Sequence, residues 1–307
     1  MISDAKKQGN GVNGGEIMAR LIYGTAYRGM IRFSITDSKD VVHELRERHK
    51  LSYLPTVVLG RLVTASILVI PWLGERETIT FVISSTGPAG NVVAQSTWKG
   101  TVRGYITNTK FELEKNEFGK FDVKGAIVGG DLTVVRDVGL KTPLVSKVPI
   151  VSGEIAEDIA YYYTKSEQIP SAFALGVLMD KDGVAKAGGL AIQILDKSIS
   201  EEIVSGIEKR LNGFAITSYL GEKSLEDIAK YVLGTEELLV EEMNVVFKCL
   251  CSREKAFESL KVLDLSDLDE MLGEGKAEVT CKWCSTTYTF EPEEIKVVIE
   301  EKKKLVN

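Results

Sequence analysis

The amino-acid sequence predicts an α+β fold with three parts: an N-terminal mixed α/β core, a helical linker and a small C-terminal domain. Three observations lead there. In the first 195 residues, strand and helix signals follow one another without regular interleaving, which argues against a doubly wound parallel sheet. Residues 196–244 then turn to short, glycine-broken helical patterns, with 5 basic against 11 acidic residues. All four cysteines fall in residues 245–307. A chain of 307 residues has room for about two domains.

The elements follow in order. Residues 1–19, MISDAKKQGNGVNGGEIMA, are rich in Gly and Asn and lack the apolar run of a signal peptide, so they read as a disordered tail. Met18 is a candidate translation start. The core spans 20–195. Met30 to Ile35 reads as a strand, Asp40 to Lys50 as a polar helix, and Val57 to Val69 as an apolar helix. That helix is expected to be buried rather than membrane-spanning. Arg61 sits in it, Pro55 and Pro71 bracket it, and its charge-free run, Leu62 to Gly74, is 13 residues, short of the roughly 20 a span needs. Thr78 to Ile83 alternates with period two, as a half-buried strand does. Gly87-Pro88-Ala89-Gly90 is a turn into the strand Asn91 to Gln95. Thr101 to Ile106 and Asp131 to Arg136 are further strands, the latter closed by Asp137-Val138-Gly139. Ser152-Gly153-Glu154 is expected to open a helix through Tyr163, with Ile155, Ile159, Tyr162 and Tyr163 on one face. Phe173 to Met179 and Gly188 to Leu195 form a hairpin about Asp180-Lys181-Asp182-Gly183.

In the linker, 196–244, helices are predicted over Ser200 to Leu211, Ser224 to Tyr231 and Thr235 to Glu242. Ser200 and Ser224 serve as caps, and Gly213, Gly221 and Gly234 as breaks. Short Glu-rich helices are marginal alone. They are expected to hold only while Ile203, Val204, Ile207, Leu211, Leu225, Ile228, Leu238 and Leu239 find a docking surface.

Charge and motif patterns exclude several functions. The net charge of -6 and pI near 5.3 disfavour a nucleic-acid binder. Residues 1–195 are slightly basic, with 23 Lys and Arg against 20 Asp and Glu, so the linker alone matches the whole chain's excess. The only histidines, His43 and His49, lie six apart on a polar helix and are assigned surface or packing roles rather than metal ligation. Ser152 has no evident histidine base. Gly129-Gly130 and Gly188-Gly189 lack the phosphate-loop patterns. Tyr161-Tyr162-Tyr163 reads as core, and Lys302-Lys303-Lys304 as a solvated helix end. Base stacking by Trp283 and Tyr288 beside Lys282 is disfavoured by the local negative charge.

The cysteines form two pairs, Cys249-Leu250-Cys251 and Cys281-Lys282-Trp283-Cys284, a C-x-C and a C-x-x-C separated by 29 residues. Four cysteines are too few for a disulfide-stapled secreted fold. Without an export signal the expected compartment is the reducing cytoplasm, where clustered cysteines point to metal or redox chemistry. Four thiolates suit tetrahedral zinc. The pairs lie on separate elements, between which Glu254 to Leu263 reads as one helix and Ser266-Asp267-Leu268-Asp269 as a capping-box start to another. A constitutive structural zinc ribbon, a metal-free dithiol pair and a redox-active zinc site are all open on spacing alone. Redox activity has a physical argument. Metal holds sulfur as the thiolate that oxidants attack, each pair is close enough to close on itself, and a domain of this size depends on metal for folding energy. A C-x-C disulfide closes a small strained ring that reduces easily.

At these residues the sequence resembles the heat shock protein 33 family of redox-regulated chaperones. The likeness runs from about Leu21 through nearly the whole chain. Besides the cysteine pairs it includes Arg48 to Tyr53, Val93 to Thr97 with Val102 to Tyr105, Leu140 to Pro143, Val148 to Asp158 and Ser166 to Ala172. The tail before Leu21 is outside it. The resemblance implies an ATP-independent holdase and no enzymatic activity. When reduced, it implies one Zn²⁺ held by Cys249, Cys251, Cys281 and Cys284, with the chaperone inactive. On oxidation it implies the disulfides Cys249–Cys251 and Cys281–Cys284, zinc release, linker unfolding and a homodimer that binds unfolded or partly unfolded clients. Membranes and nucleic acid are not expected partners. The competing readings are a constitutive zinc-ribbon protein that binds RNA or a protein partner, and a dithiol oxidoreductase that turns over disulfides without zinc.

Overall fold

The computed structural model describes residues 17–306, so the tail predicted before residue 17 lies outside the described residues. The core begins with β1 (Met18–Ala26) and β2 (Ile31–Asp37), then α1 (Lys39–His49) and α2 (Tyr53–Leu68). Next come β3 (Thr78–Ser85), β4 (Asn91–Thr97), β5 (Thr101–Ile106), the short α3 (Val123–Ile127), β6 (Gly130–Asp137) and β7 (Leu144–Pro149). α4 (Ala156–Lys165), β8 (Ser171–Asp180) and β9 (Gly183–Ile194) follow. Beyond them lie α5 (Glu201–Leu211), α6 (Leu225–Leu233) and β10 (Leu238–Phe247). The C-terminal part comprises α7 (Arg253–Leu260), α8 (Leu265–Glu274), β11 (Ala277–Thr280), β12 (Thr287–Phe290) and α9 (Pro292–Val306).

One ten-stranded sheet organises the core in the order β7-β6-β3-β4-β5-β10-β1-β2-β9-β8. Its pairings are antiparallel except β10 with β5, a short parallel contact at Val246–Thr101 and Phe247–Val102. The sheet is thus two antiparallel halves joined through β10, an α+β arrangement rather than the doubly wound sheet that the irregular strand and helix order argued against.

The two faces of the sheet are covered differently. α2 lies across β4, β5, β8 and β9. Its uniformly apolar sequence fits burial on nearly every side: Leu54, Val58, Leu59, Leu62, Ile67 and Leu68 are each fully buried. The helical stretch Tyr53–Trp72 has the length and apolarity of a membrane span, and 89% of its most apolar window is buried inside the protein. On the other face, strand alternation directs Ile31, Phe33 and Ile35 of β2 and Leu190 and Ile192 of β9 toward α5 and α6. There they meet Ile207, Leu225, Ile228, Val232 and Leu233. Ile203, Val204 and Leu211 are half-buried against the same cluster. Ser200 and Ser224 cap their helices as expected, each hydroxyl accepting a backbone N–H, from Ile203 and Asp227.

Several expectations are corrected. Thr235 to Glu242 is not a helix: Leu238–Phe247 is β10, and the linker boundary at 244 falls inside it. What decides this is a partner distant in sequence. β1 pairs with β10 over its whole length, Met18 opposite Val246 through Ala26 opposite Leu238. Tyr23 donates to Glu241 (2.8 Å) and Arg20 makes a two-pronged bond to Glu242 (2.6 and 3.0 Å). Gly24 permits this pairing, since a Cβ there would stand 1.7 Å from the Leu239 carbonyl oxygen. Strand alternation also turns Leu239 outward, 75% exposed, so it is no docking residue. β1 starts at Met18, so Met18 and Ala19 belong to the sheet rather than to the tail.

α4 starts at Ala156, after Ser152-Gly153-Glu154. The buried Asp158 carboxylate accepts backbone N–H bonds from Val151, Ser152, Gly153 and Ile155, winding those residues into a loop before the helix. α8 starts at Leu265 with Asp264 as cap, so Ser266 lies inside the helix and caps nothing. Lys302 donates to the Lys261 carbonyl (2.9 Å) at the end of α7, where a solvated position was expected.

Candidate metal centre

The C-terminal part has its own small core: Ala256, Leu260, Leu268, Ala277, Phe290, Ile295, Val298 and Ile299, all from residues beyond β10. The four cysteines lie at its edge. Cys249 and Cys251 sit on the extended segment between β10 and α7, ended by Ser252, whose hydroxyl caps α7 by accepting the Lys255 N–H. Cys281 and Cys284 sit in the turn between β11 and β12. Two backbone bonds set that turn: Cys281 N–H to the Thr286 carbonyl (2.9 Å) and Ser285 N–H to the Cys281 carbonyl (2.8 Å). Ser285 takes a left-handed conformation, φ 55°, which lets the chain double back between the sulfurs and β12.

The structure brings all four predicted cysteines together, with every Sγ within 4.8 Å of the others. Two contacts run across the pairs, 3.4 Å for Cys251–Cys284 and 3.7 Å for Cys249–Cys281. A zinc tetrahedron with Zn–S near 2.3 Å has edges of about 3.8 Å, so the donor set fits that ion. The thiols are free. A cavity of about 370 Å³, lined by Arg103, Cys249, Cys251, Cys281, Trp283 and Tyr288 among others, opens beside them.

Neighbouring groups act on each sulfur. Burial pushes the Cys249, Cys251 and Cys281 thiols up from their ordinary value. At Cys284 burial works the same way, yet the hydroxyl and backbone N–H of Thr286 favour the thiolate and hold the group at about 7. The Tyr288 hydroxyl donates to Cys251 Sγ (3.2 Å), a bond that with desolvation lifts the phenol to about 12. Thr286, just before β12, and Tyr288, in it, therefore each face one sulfur of a different pair.

The turn between Cys281 and Cys284 also touches the core. The Arg103 guanidinium lies 4.1 Å from the centre of the Trp283 ring, and Tyr105 meets that ring edge-on at 5.1 Å. His49, at the end of α1, reaches both sides of Cys284. Its Nε2 is 3.3 Å from the Trp283 carbonyl oxygen and its Nδ1 is 2.8 Å from Ser285 Oγ. One tautomer serves both: Nε2–H donates to the carbonyl and Nδ1 accepts from the hydroxyl. Burial lowers the histidine's pKa, which favours that neutral form. Sequence reasoning gave His49 a surface or packing role without a partner, met Arg103 and Tyr105 only within the family-like stretch Val102 to Tyr105 and without their Trp283 contact, and did not find the Tyr288 bond. Their partners lie up to 236 positions away, beyond any local pattern. Trp283, weighed as a base-stacking residue, has its ring engaged by Arg103 and Tyr105 instead. His43 lies exposed on α1.

Comparison with known proteins matches the chain to one family. The sequence model described as Hsp33 protein matches residues 19–291. The 33 kDa chaperonin of Thermotoga maritima is 52% identical over 283 residues, 92% of this chain and 98% of the relative. That of Trichodesmium erythraeum is 40% identical, covering 92% and 93%. The crystal structure of the 33 kDa chaperonin (heat shock protein 33 homolog) from Thermotoga maritima superposes with a TM-score of 0.90 at 51% identity, covering 93% of this chain and 99% of that one.

Proposed function

The chain belongs to the Hsp33 family, and on that premise we propose that it is a redox-regulated, ATP-independent holdase, not an enzyme, that protects unfolding proteins from aggregation under oxidative stress in the cytoplasm. The observation that carries this reading is the gathering of C-x-C and C-x-x-C thiols within 4.8 Å of one another on a domain whose buried core counts eight residues among the described residues. Cys249, Cys251, Cys281 and Cys284 are the proposed ligands of one Zn²⁺ in the reduced state. When bound, the ion holds these sulfurs as thiolates and supplies folding energy that so small a core lacks.

Oxidation acts on the ligands. Two thiolates lose two electrons to form each disulfide, and hydrogen peroxide takes up those electrons with two protons from solvent to become two waters. Closure of Cys249–Cys251 and of Cys281–Cys284 turns all four sulfurs from ligands into disulfide sulfurs, with loss of the ion. The metal bridge between the segment after β10 and the β11–β12 turn is then lost, leaving weaker ties such as the Tyr288–Cys251 bond. The domain unfolds, and α5 and α6 lose their hold on the sheet. The apolar residues they cover, Phe33 and Ile35 of β2 and Ile192 of β9 among them, become available to unfolded clients. The acidic excess of 196–244 keeps the released segment dispersed, and the activated form pairs as a homodimer. In this reading 20–195 is the core chaperone domain, 196–244 the linker and 245–307 the switch, with β10 crossing the last boundary.

The test is light scattering from a chemically denatured client diluted into the reduced, zinc-loaded protein and into protein treated with warm peroxide. Suppression of aggregation by the oxidised form alone is expected. Equal suppression by both forms, or by neither, overturns the switch.

A further inference from the structure

The residues that join the cysteine domain to the core lie inside and beside one of its two cysteine pairs. Trp283 stands between Cys281 and Cys284, and Ser285 follows Cys284 directly. Trp283 presents its ring to Arg103 and Tyr105 and its carbonyl to His49, while Ser285 donates its hydroxyl to the other side of that histidine. On the core side the receiving groups are held in place. Arg103 Nε donates to Gln95 Oε1 (2.9 Å), and the Gln95 amide in turn donates to Thr80 Oγ1 (2.9 Å), fixing the guanidinium across β3, β4 and β5. His49 is 8% exposed and closes the end of α1. The hydrophobic core of the C-terminal domain shares no residue with the clusters of the sheet. An aromatic and polar clasp therefore meets the sheet where no shared apolar core does.

We propose that Trp283 is the positioning residue that couples the state of the thiols to docking of the C-terminal domain, by seating the C-x-x-C turn against Arg103, Tyr105 and His49. The coupling is local. Drawing Cys281 and Cys284 together reshapes the turn whose ring and carbonyl make the clasp, and whose Ser285 already holds a left-handed backbone. Oxidation at this pair thus reaches the core through two residues. The inference rests on the proposed redox switch and names the contact by which the switch is held.

The two histidines supply the test. Diethyl pyrocarbonate modifies accessible imidazoles. His43 is exposed and serves as the internal standard, while His49 is covered by the clasp. The full-length, reduced, zinc-loaded protein is labelled and the two sites are read by mass spectrometry, with zinc content measured on the same samples. In the wild type His49 is expected to react far more slowly than His43. In Trp283→Ala its rate rises about tenfold while zinc stays bound, the factor expected when a half-buried cation–π contact and an aromatic edge contact are lost together. Arg103→Ala, outside the cysteine domain, produces the same exposure and decides the matter if Trp283→Ala binds no zinc. In either variant less peroxide is then needed to reach aggregation suppression, with the melting of the core unchanged. A protected His49 in zinc-bound Trp283→Ala, or in Arg103→Ala when the first variant binds no zinc, overturns the proposal. If the wild type never suppresses aggregation in either redox state, the switch falls, but the labelling still decides whether Trp283 docks the domain.

Discussion

The sheet core and the cysteine domain solve the problem of stability in opposite ways. The larger cluster of the core gathers 36 buried apolar residues among the described residues, and α2 is enclosed along almost its whole length. The cysteine domain gathers eight, two of them alanine. Side-chain burial contributes about 1.5–3 kcal/mol for each large apolar group, so the first region has a wide margin against the entropy of ordering its chain and the second has little. On the proposed switch, this contrast is what would let chemistry at four atoms unfold one region and spare the other. A switch needs an element whose folding hangs on a single removable contribution, set on a scaffold that does not share it.

The sharpest way to break this comparison is to remove a ligand. Cys281→Ser, or chelation of the wild type, is expected to cost the C-terminal domain on the order of 10 kcal/mol. Far-UV circular dichroism should show helicity lost from α7, α8 and α9 well below the melting of the core, and an unchanged spectrum would mean that the eight-residue core suffices. The converse substitution is Leu59→Ala in the middle of α2. Removing this fully buried side chain is expected to destabilise the core by about 2–5 kcal/mol, lowering its melting temperature while zinc stoichiometry stays at one per chain. A parallel loss of zinc would show that the two regions share their stability. The mildest probe is Tyr288→Phe, which removes only the hydroxyl bonded to Cys251. Loss of such an outer bond weakens metal affinity by about tenfold, readable by competition with a chromophoric chelator. No change would place the tyrosine outside the metal's influence.

What the sequence discloses divides along similar lines. Elements whose partners are near in the chain are legible: the β3–β4 hairpin with its Gly87-Pro88-Ala89-Gly90 turn, the β8–β9 hairpin, and α2 with its unbroken apolar run. So are the cysteine pairs, because metal-binding spacing is a local pattern. Elements defined by distant partners are not. β10 carries the glutamates and adjacent leucines of a helix, and its full-length pairing with β1, more than 200 positions earlier, makes it a strand. β1 was hidden because its first residues adjoin the Gly/Asn-rich tail. Asp158 looks like an ordinary first-turn acid of a helix, yet it organises the loop before α4 through four backbone donors. The clasp is the extreme case. His49 has the spacing of a packing residue, and nothing near it in sequence points to Ser285.

The place of β10 also bears on how the protein is made. β1 and β5 both need this strand beside them, and it lies near the far end of the chain: the Arg20 and Glu242 side chains that meet across β1 and β10 are 222 positions apart. At ribosomal rates of about 5–20 residues per second, some 10–45 s pass between the emergence of the two partners. During that interval β1, and through its last 145 positions (Thr101 to Val246) β5 as well, present open strand edges, the surfaces on which other chains add most readily. The nascent chain therefore passes through a period as vulnerable as that of the unfolded proteins it is proposed to protect, and the last strand of the core to be synthesised closes both edges at once.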